Sequence, residues 1–236
     1  MAEQTHGIPN LPPRAENSHK GNFGRALLIG GSRGMTGAIA MAGMSTLRSG
    51  AGLVSLAVPD RCLEVVASLD PCYMTTPLPC DGEGRLAGGA GKRIMELADK
   101  MTAVACGPGL GRSDELDCVV RMVYVEVPLP MVCDADGLNA LSHHPEGLPL
   151  PAGPRILTPH PGEFGRLTGG KAAGDADRER LAIELAASRR AVVVLKGHRT
   201  LVTDGQRWQR NETGNPGMAT AGAGASGEQV GNAFLQ

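Results

Sequence analysis

The chain has 236 residues, a formal net charge of −1, 42% hydrophobic residues and only 3% aromatic residues. That charge balance leaves no electrostatic footprint for DNA or RNA, and so few rings cannot build a stacking platform for single strands. No apolar run approaches the ~18 residues needed to cross a bilayer, and the polar start of the chain lacks the basic-then-apolar order of a secretory signal. No nucleic acid and no membrane partner is therefore expected. The six cysteines (Cys62, Cys72, Cys80, Cys106, Cys118, Cys133) include no C-x-x-C pair, which excludes a zinc knuckle or thioredoxin motif. Several, such as Cys106, lie inside apolar runs, as buried thiols of a reducing compartment do. The expected location is the cytoplasm.

Residues 1–24 read as an extended leader and residues 25–236 as a single domain. From residue 25 onward, short apolar runs alternate with helical patterns. Strands are predicted at 26–29, 53–58, 103–106, 131–133 and 155–157. Helices are predicted at 38–47, 62–69, 94–98 and 116–123. Leu181, Ala182, Leu185 and Ala186 recur on one helical face. The β-branched run 191–195 suits a central parallel strand covered on both sides. Asp204-Gly205 between residues 200–203 and 207–209 is a hairpin signal. The alternation predicts an α/β fold, mostly parallel, with helices on both faces of the sheet.

Five polar or glycine-rich segments each begin where a predicted strand ends: Gly30-Gly31-Ser32, Gly107-Pro108-Gly109-Leu110-Gly111, Asp134-Ala135-Asp136, the stretch from Thr158 to Glu163, and Lys196-Gly197-His198. In an open α/β sheet these would gather along the carboxyl edge, where ligands bind. The glycines from Gly30 to Gly37 fit either a tight turn or an approach of backbone amides to an anion. Lys196 fits either a phosphate-neutralising ammonium or a solvated strand-end lysine. Asp134 and Asp136 fit either Mg²⁺ held through water or a turn and helix cap. The dinucleotide fingerprint is not met, because Arg112 falls at the last glycine position of the 107–112 segment, and no P-loop is present.

Larger stretches then follow in a fixed order over residues 18–220: His19-Lys20-Gly21 with Gly24 and LLIGGS, GAIAMAG then LRSGAGLVSLAVP, ACGPGLGR, CDADGLNAL, LTPHPGEFGRLTG, VVVLKGHRT and GNPGMAT. In these residues the chain resembles the ADP-dependent NAD(P)H-hydrate dehydratase family, a branch of the ribokinase-like superfamily. The resemblance implies a ribokinase-like fold and a hydro-lyase that repairs nicotinamide cofactors. ADP (or ATP) would phosphorylate the hydroxyl of the hydrated ring. Loss of phosphate would restore NAD(P)H, with AMP and phosphate as by-products of the ADP reaction. Ala38, Gly109, Gly111, His160 and Glu163 would contact the hydrated dinucleotide. Lys196, Gly197, His198, Arg199 and Thr200 would hold the nucleotide phosphates, with Gly224 in the anion-binding loop. Mg²⁺ is the expected cofactor and a homo-oligomer the expected assembly.

The resemblance breaks near the end. After GNPGMAT the family pattern is G-G-[TS]-G-D followed by an apolar helix, whereas this chain reads Ala221-Gly222-Ala223-Gly224-Ala225-Ser226. Ala225 stands where the resemblance implies the catalytic aspartate, whose carboxylate would position and deprotonate the attacking hydroxyl. The tail reads as a divergent or truncated end that lacks the family's last helices. Two alternatives stay open: a catalytically impaired nucleotide-binding member of the same fold, and a ribokinase-like small-alcohol kinase. A short-chain dehydrogenase fits poorly, since neither Tyr73 nor Tyr124 is followed by lysine four residues later.

Overall fold

The computed structural model describes residues 2–5, 13–144, 147–170, 174–215 and 217. Its strands are β1 (Glu3–Gln4), β2 (Arg25–Ile29), β3 (Leu53–Pro59), β4 (Met74–Leu78), β5 (Ala103–Cys106), β6 (Met131–Cys133), β7 (Arg155–Leu157), β8 (Ala191–Leu195), β9 (Leu201–Thr203) and β10 (Arg207–Arg210). Its helices are α1 (Thr36–Arg48), α2 (Leu63–Ala67), α3 (Ala90–Ala98), α4 (Asp114–Glu126), α5 (Asp136–Ser142), α6 (Pro161–Thr168) and α7 (Asp175–Arg189). One sheet takes the order β1-β10-β9-β8-β7-β6-β5-β2-β3-β4. The seven strands from β8 to β4 in that order are parallel. Beyond β8, β9 and β10 form the antiparallel hairpin expected from Asp204-Gly205, and β1 pairs parallel with β10 at the edge.

Alternating strand residues separate the two faces, because successive side chains point to opposite sides. Leu27, Ile29, Val104, Cys106, Cys133, Leu157 and Val193 pack with α3 to α7. Ala26, Leu28, Val54, Leu56, Ala105 and Val132 pack with α1 and α2. Helices thus lie on both faces, as expected.

Three expectations need correction. The 191–195 run is not a central strand covered on both sides: β8 ends the parallel run that begins at β4 and pairs antiparallel with β9. Ala191, Val193 and Leu195 are buried, on the face where α7 packs, whereas Val192 and Val194 stay half-exposed on the other face. The helix expected at 62–69 is present but shorter: a 3₁₀ turn over Asp60–Cys62 leads into α2, which ends at Ala67. Within the segment read as an extended leader, Glu3–Gln4 pair with β10 and Lys20–Phe23 form a 3₁₀ turn capped by His19. Sequence periodicity also missed β4, α5 and α6. Pro77 obscures β4, and a proline is tolerated there because the strand lies at the sheet edge.

Arg155 lies inside a run read as a plain strand, yet it is 1% exposed. Its guanidinium donates to the carbonyl oxygens of Tyr124, Val127, Leu129 and Pro154 at 2.6–3.0 Å. It satisfies the acceptors left unpaired at and just beyond the C-terminus of α4 and so ties that helix to β7.

Candidate active site at the carboxyl edge

The chain leaves β2 toward β3 and β4 on one side, while β5 to β8 extend on the other. The neighbouring strands β2 and β5 therefore form a topological switch point, the place where an open α/β sheet leaves a crevice beyond its carboxyl ends. The five segments singled out in the sequence follow β2, β5, β6, β7 and β8. These are five adjacent strands, all parallel.

Backbone hydrogen bonds carry the ladder past the strand ends. Gly31 N–H donates to Pro108 O at 2.8 Å, Gly107 N–H to Ile29 O at 3.0 Å, Asp134 N–H to Cys106 O at 3.1 Å, Thr158 N–H to Cys133 O at 3.1 Å and Lys196 N–H to Pro159 O at 2.9 Å. Glycine is required where these segments crowd one another. Gly107 has φ +138°, and a Cβ there would lie 1.7 Å from Asp134 O. Gly109 has φ +67°, and its Cβ would lie 2.7 Å from Met35 O and 3.1 Å from the Cβ of Ala38. The structure thus brings Ala38 and Gly109 together at the switch point. Gly111 lies beside them, and its N–H is already bound to Asp136 Oδ2 at 3.0 Å.

Toward β8 the edge is charged. Lys196 Nζ donates to Asp134 Oδ1 at 2.6 Å, with both side chains 16% exposed. Thr158 Oγ1 donates to the same oxygen at 2.8 Å. Lys196 is therefore neither freely solvated nor unpaired; it is held over β7 by a carboxylate. Asp134 is followed by Ala135 at φ 48°, ψ −119°, a backbone conformation that stores strain in a residue other than glycine. Asp136 then opens α5, accepting from Gly111 N–H and, at 3.2 Å, from Asn139 Nδ2. Both aspartates tie neighbouring segments together here, and neither caps a helix. Asn139 Oδ1 in turn accepts from Arg166 Nε at 2.9 Å, joining α5 to α6.

His160 and Glu163 form a reciprocal cap on α6. His160 Nδ1 accepts from Gly162 N–H at 2.9 Å and Glu163 N–H at 3.3 Å, and Glu163 Oε2 accepts from His160 N–H at 2.8 Å. Such a capping box satisfies otherwise orphaned helix donors. Glu163 is 5% exposed, while the His160 side chain is about half exposed, with Nε2 3.3 Å from Glu163 Oε1. After β8, Gly197 (φ +155°) and Arg199 (φ 61°) curl the 196–200 loop, and Thr200 Oγ1 closes it on Gly197 O at 3.2 Å. His198 lies in the same loop, and Arg199 pairs with Glu212. Gly224 and Ala225 lie outside the described residues. The Asp134–Lys196 pair was missed in the sequence, because 62 residues separate the partners and only the strand order joins them.

The topology, with its polar segments in register along one edge, defines an α/β protein of the ribokinase-like class. It resembles a ribokinase-like superfamily protein from Enterococcus faecalis V583 with a TM-score of 0.76 and 26% identity, covering 96% of this chain and 77% of that one. Within the class, the chain belongs to the NAD(P)H-hydrate dehydratase family, whose model matches residues 26–226. It is similar to an ADP/ATP-dependent NAD(P)H-hydrate dehydratase from Bacillus subtilis co-crystallised with ATP/Mg²⁺, at a TM-score of 0.74 and 32% identity over 96% of this chain and 78% of that one. It is also 43% identical over 217 residues to the bifunctional NAD(P)H-hydrate repair enzyme Nnr of Moorella thermoacetica, a match covering 91% of this chain and 41% of that relative. The chain thus spans about two-fifths of the length of that curated relative.

Proposed function

We propose that this chain dehydrates hydrated NADH or NADPH at the expense of ADP. The ring hydroxyl takes the β-phosphoryl group, AMP leaves, and loss of phosphate from the ring restores the dihydronicotinamide. The observation that carries this reading is the placement of five ligand-type segments on five adjacent parallel strands, in a chain of this family. The hydrated dinucleotide lies at the β2/β5 crevice, against Ala38, Gly109 and Gly111, with His160 and Glu163 on its β7 side. The phosphates of the nucleotide lie at Lys196, Gly197, His198, Arg199 and Thr200, with Gly224. Three strand spacings separate β8 from β5, or roughly 14 Å, which leaves room for two ligands side by side. Asp134 keeps the Lys196 ammonium at the strand end, so its position is set before nucleotide arrives.

Among the described residues no group of three or more His, Cys, Asp or Glu side chains is arranged to hold a metal, and both Asp134 and Asp136 are engaged in protein contacts. These residues do not make a protein-built Mg²⁺ site. The ion would enter with the nucleotide phosphates, as Mg²⁺ commonly does.

Ala225 supports a second reading, in which the chain binds both ligands and turns them over very slowly. Loss of a positioned acid–base group costs typically ~10²–10⁴-fold in rate. The two readings separate in one assay: the rise in absorbance at 340 nm as NADH forms from its hydrate with ADP and Mg²⁺. Robust turnover supports the first. Binding without turnover, rescued by Ala225→Asp, supports the second.

No helix among the described residues is long and apolar enough to cross a membrane. A cytoplasmic setting belongs to this proposal, supported by six thiols that are all unbonded. So does self-association, supported by the half-exposed Ile156, Val192 and Val194 and the exposed Val202 along one sheet face.

A further inference from the structure

We propose that Arg33, Arg112 and Ser32 form the subsite that takes a phosphate group of the hydrated dinucleotide. The proposal rests on the hydrate dehydratase function proposed above and deepens it.

Three segments far apart in sequence meet at the rim of the β2/β5 crevice. The loop after β2 brings Ser32 and Arg33, the loop after β5 brings Gly111 and Arg112, and the turn before α3 brings Gly84 and Arg85. Arg33 N–H donates to Gly84 O at 3.2 Å, and a Cβ on Gly84 would lie 3.1 Å from the Cβ of Arg33. A Cβ on Gly111 would lie 3.4 Å from Arg85 Cδ and 3.6 Å from Ser32 Oγ. The backbones of three arginines therefore share one small patch.

Their side chains differ in what they already hold. Arg85 is committed: Nε donates to Asp81 Oδ2 at 2.8 Å and Nη1 to Arg112 O at 2.9 Å, so it braces the loop that carries Arg112. Arg33 and Arg112 are exposed, and neither side chain forms an ion pair or hydrogen bond with a described residue. Nearby carboxylates are engaged elsewhere: Asp136 Oδ2 accepts from Gly111 N–H and Glu115 Oε2 from Gly88 N–H. Ser32 is only 2% exposed, yet its hydroxyl has no hydrogen-bond partner among the described residues. That leaves the hydroxyl available to a ligand in the crevice. Two guanidinium groups and a hydroxyl suit a phosphate, which takes bidentate N–H donors and further hydrogen bonds on its other oxygens.

Position selects the dinucleotide over the adenine nucleotide. Arg33 and Arg112 follow β2 and β5, beside the Ala38–Gly109 contact, whereas Lys196 lies about three strand spacings from β5. Hydrated NADPH offers a pyrophosphate and a 2′-phosphate; hydrated NADH offers only the pyrophosphate.

The test is titration calorimetry of the full chain and its Arg33→Ala/Arg112→Ala double variant with hydrated NADPH, hydrated NADH and ADP. The double variant should lose ~10–100-fold in affinity for hydrate, with ADP affinity and melting temperature unchanged. Equal loss for both hydrates assigns the pyrophosphate, and loss confined to hydrated NADPH assigns the 2′-phosphate; either supports the subsite. Ser32→Ala should weaken hydrate binding without lowering the melting temperature, an outcome that a purely structural hydroxyl would not give. Unchanged affinity of the double variant for both hydrates overturns the proposal. If the unmodified chain binds ADP but neither hydrate, the parent reading fails and the subsite with it, and the failure lies in the unmodified chain rather than the variant.

Discussion

Asp134 and Lys196 stand at the ends of strands that are not neighbours, yet Oδ1 and Nζ meet at 2.6 Å across β7. Thr158, at the end of the strand between them, donates to the same carboxylate oxygen. The contact locks three strand ends together and fixes the cation where phosphates are proposed to lie.

Lys196→Met should therefore act on binding and on stability together. It removes the ammonium from the phosphate site and leaves Asp134, 16% exposed, with Thr158 as its remaining side-chain donor. A charge-assisted hydrogen bond of this kind contributes about 1.5–3 kcal/mol. Urea denaturation should show a loss of about that size, and calorimetry should show weaker ADP binding. Adding Asp134→Asn should restore much of the stability but not the affinity. Single and double variants that keep the denaturation midpoint of the unmodified chain would mean that the pair contributes nothing to the fold.

His160 tests whether the α6 cap is also a ligand contact. His160→Ala removes the acceptor for two helix amides and should cost ~1 kcal/mol, the usual worth of an N-cap. Asn is a good N-cap, so His160→Asn should keep the melting temperature near that of the unmodified chain. If the ring contacts the hydrated dinucleotide, the Asn variant should still bind it more weakly. Full affinity in a stable Asn variant would confine His160 to its capping role.

Two glycines with positive φ should respond differently to alanine. Gly34 (φ +87°) has nothing within 4 Å of the point where a Cβ would stand, so Gly34→Ala should cost only the left-handed strain of ~1–2 kcal/mol. Gly107→Ala adds a collision with Asp134 O at 1.7 Å and forces the β5 and β6 loops apart. Its cost should exceed that of Gly34→Ala by at least ~2 kcal/mol in urea melts, together with loss of ligand binding.

The thiols should titrate in classes. Burial pushes Cys106 up to about 12 and Cys133 well above its ordinary value, so neither supplies thiolate at pH 8. With Cys62, also buried, they should react with a disulfide reagent only after unfolding. Cys72 is exposed, but Asp70 raises its pKa by hydrogen bonding to the thiol and by its negative charge. A raised pKa means less thiolate at neutral pH, so Asp70→Asn should speed Cys72 modification at pH 7–8. The gap should close as pH rises past the thiol's pKa. Equal rates at pH 7 would show that Asp70 does not act on this thiol.

Most strands were legible because they are local: 103–106, 131–133 and 191–195 each announce themselves by a few consecutive apolar residues. Where the sequence failed, a local signal was masked or absent. Pro77 hid β4, and α5 and α6 begin on the same Asp136 and His160-Pro161 that were read for their chemistry. The five candidate segments were legible as strand exits. Their function as one edge was an expectation resting on the general rule for open sheets.

By itself, the sequence determined the α/β alternation, the glycine positions and the family motifs, since each resides in contiguous residues whose conformation or packing is set by near neighbours. Tertiary structure alone decided the strand order, the half-exposed side of β8, the Arg155 tether beneath α4, the Asp134–Lys196 pair and the meeting of Ser32, Arg33 and Arg112. Each of these depends on which strands lie side by side, and that is settled by burying two apolar sheet faces at once, between residues as much as 62 positions apart in the case of Asp134 and Lys196.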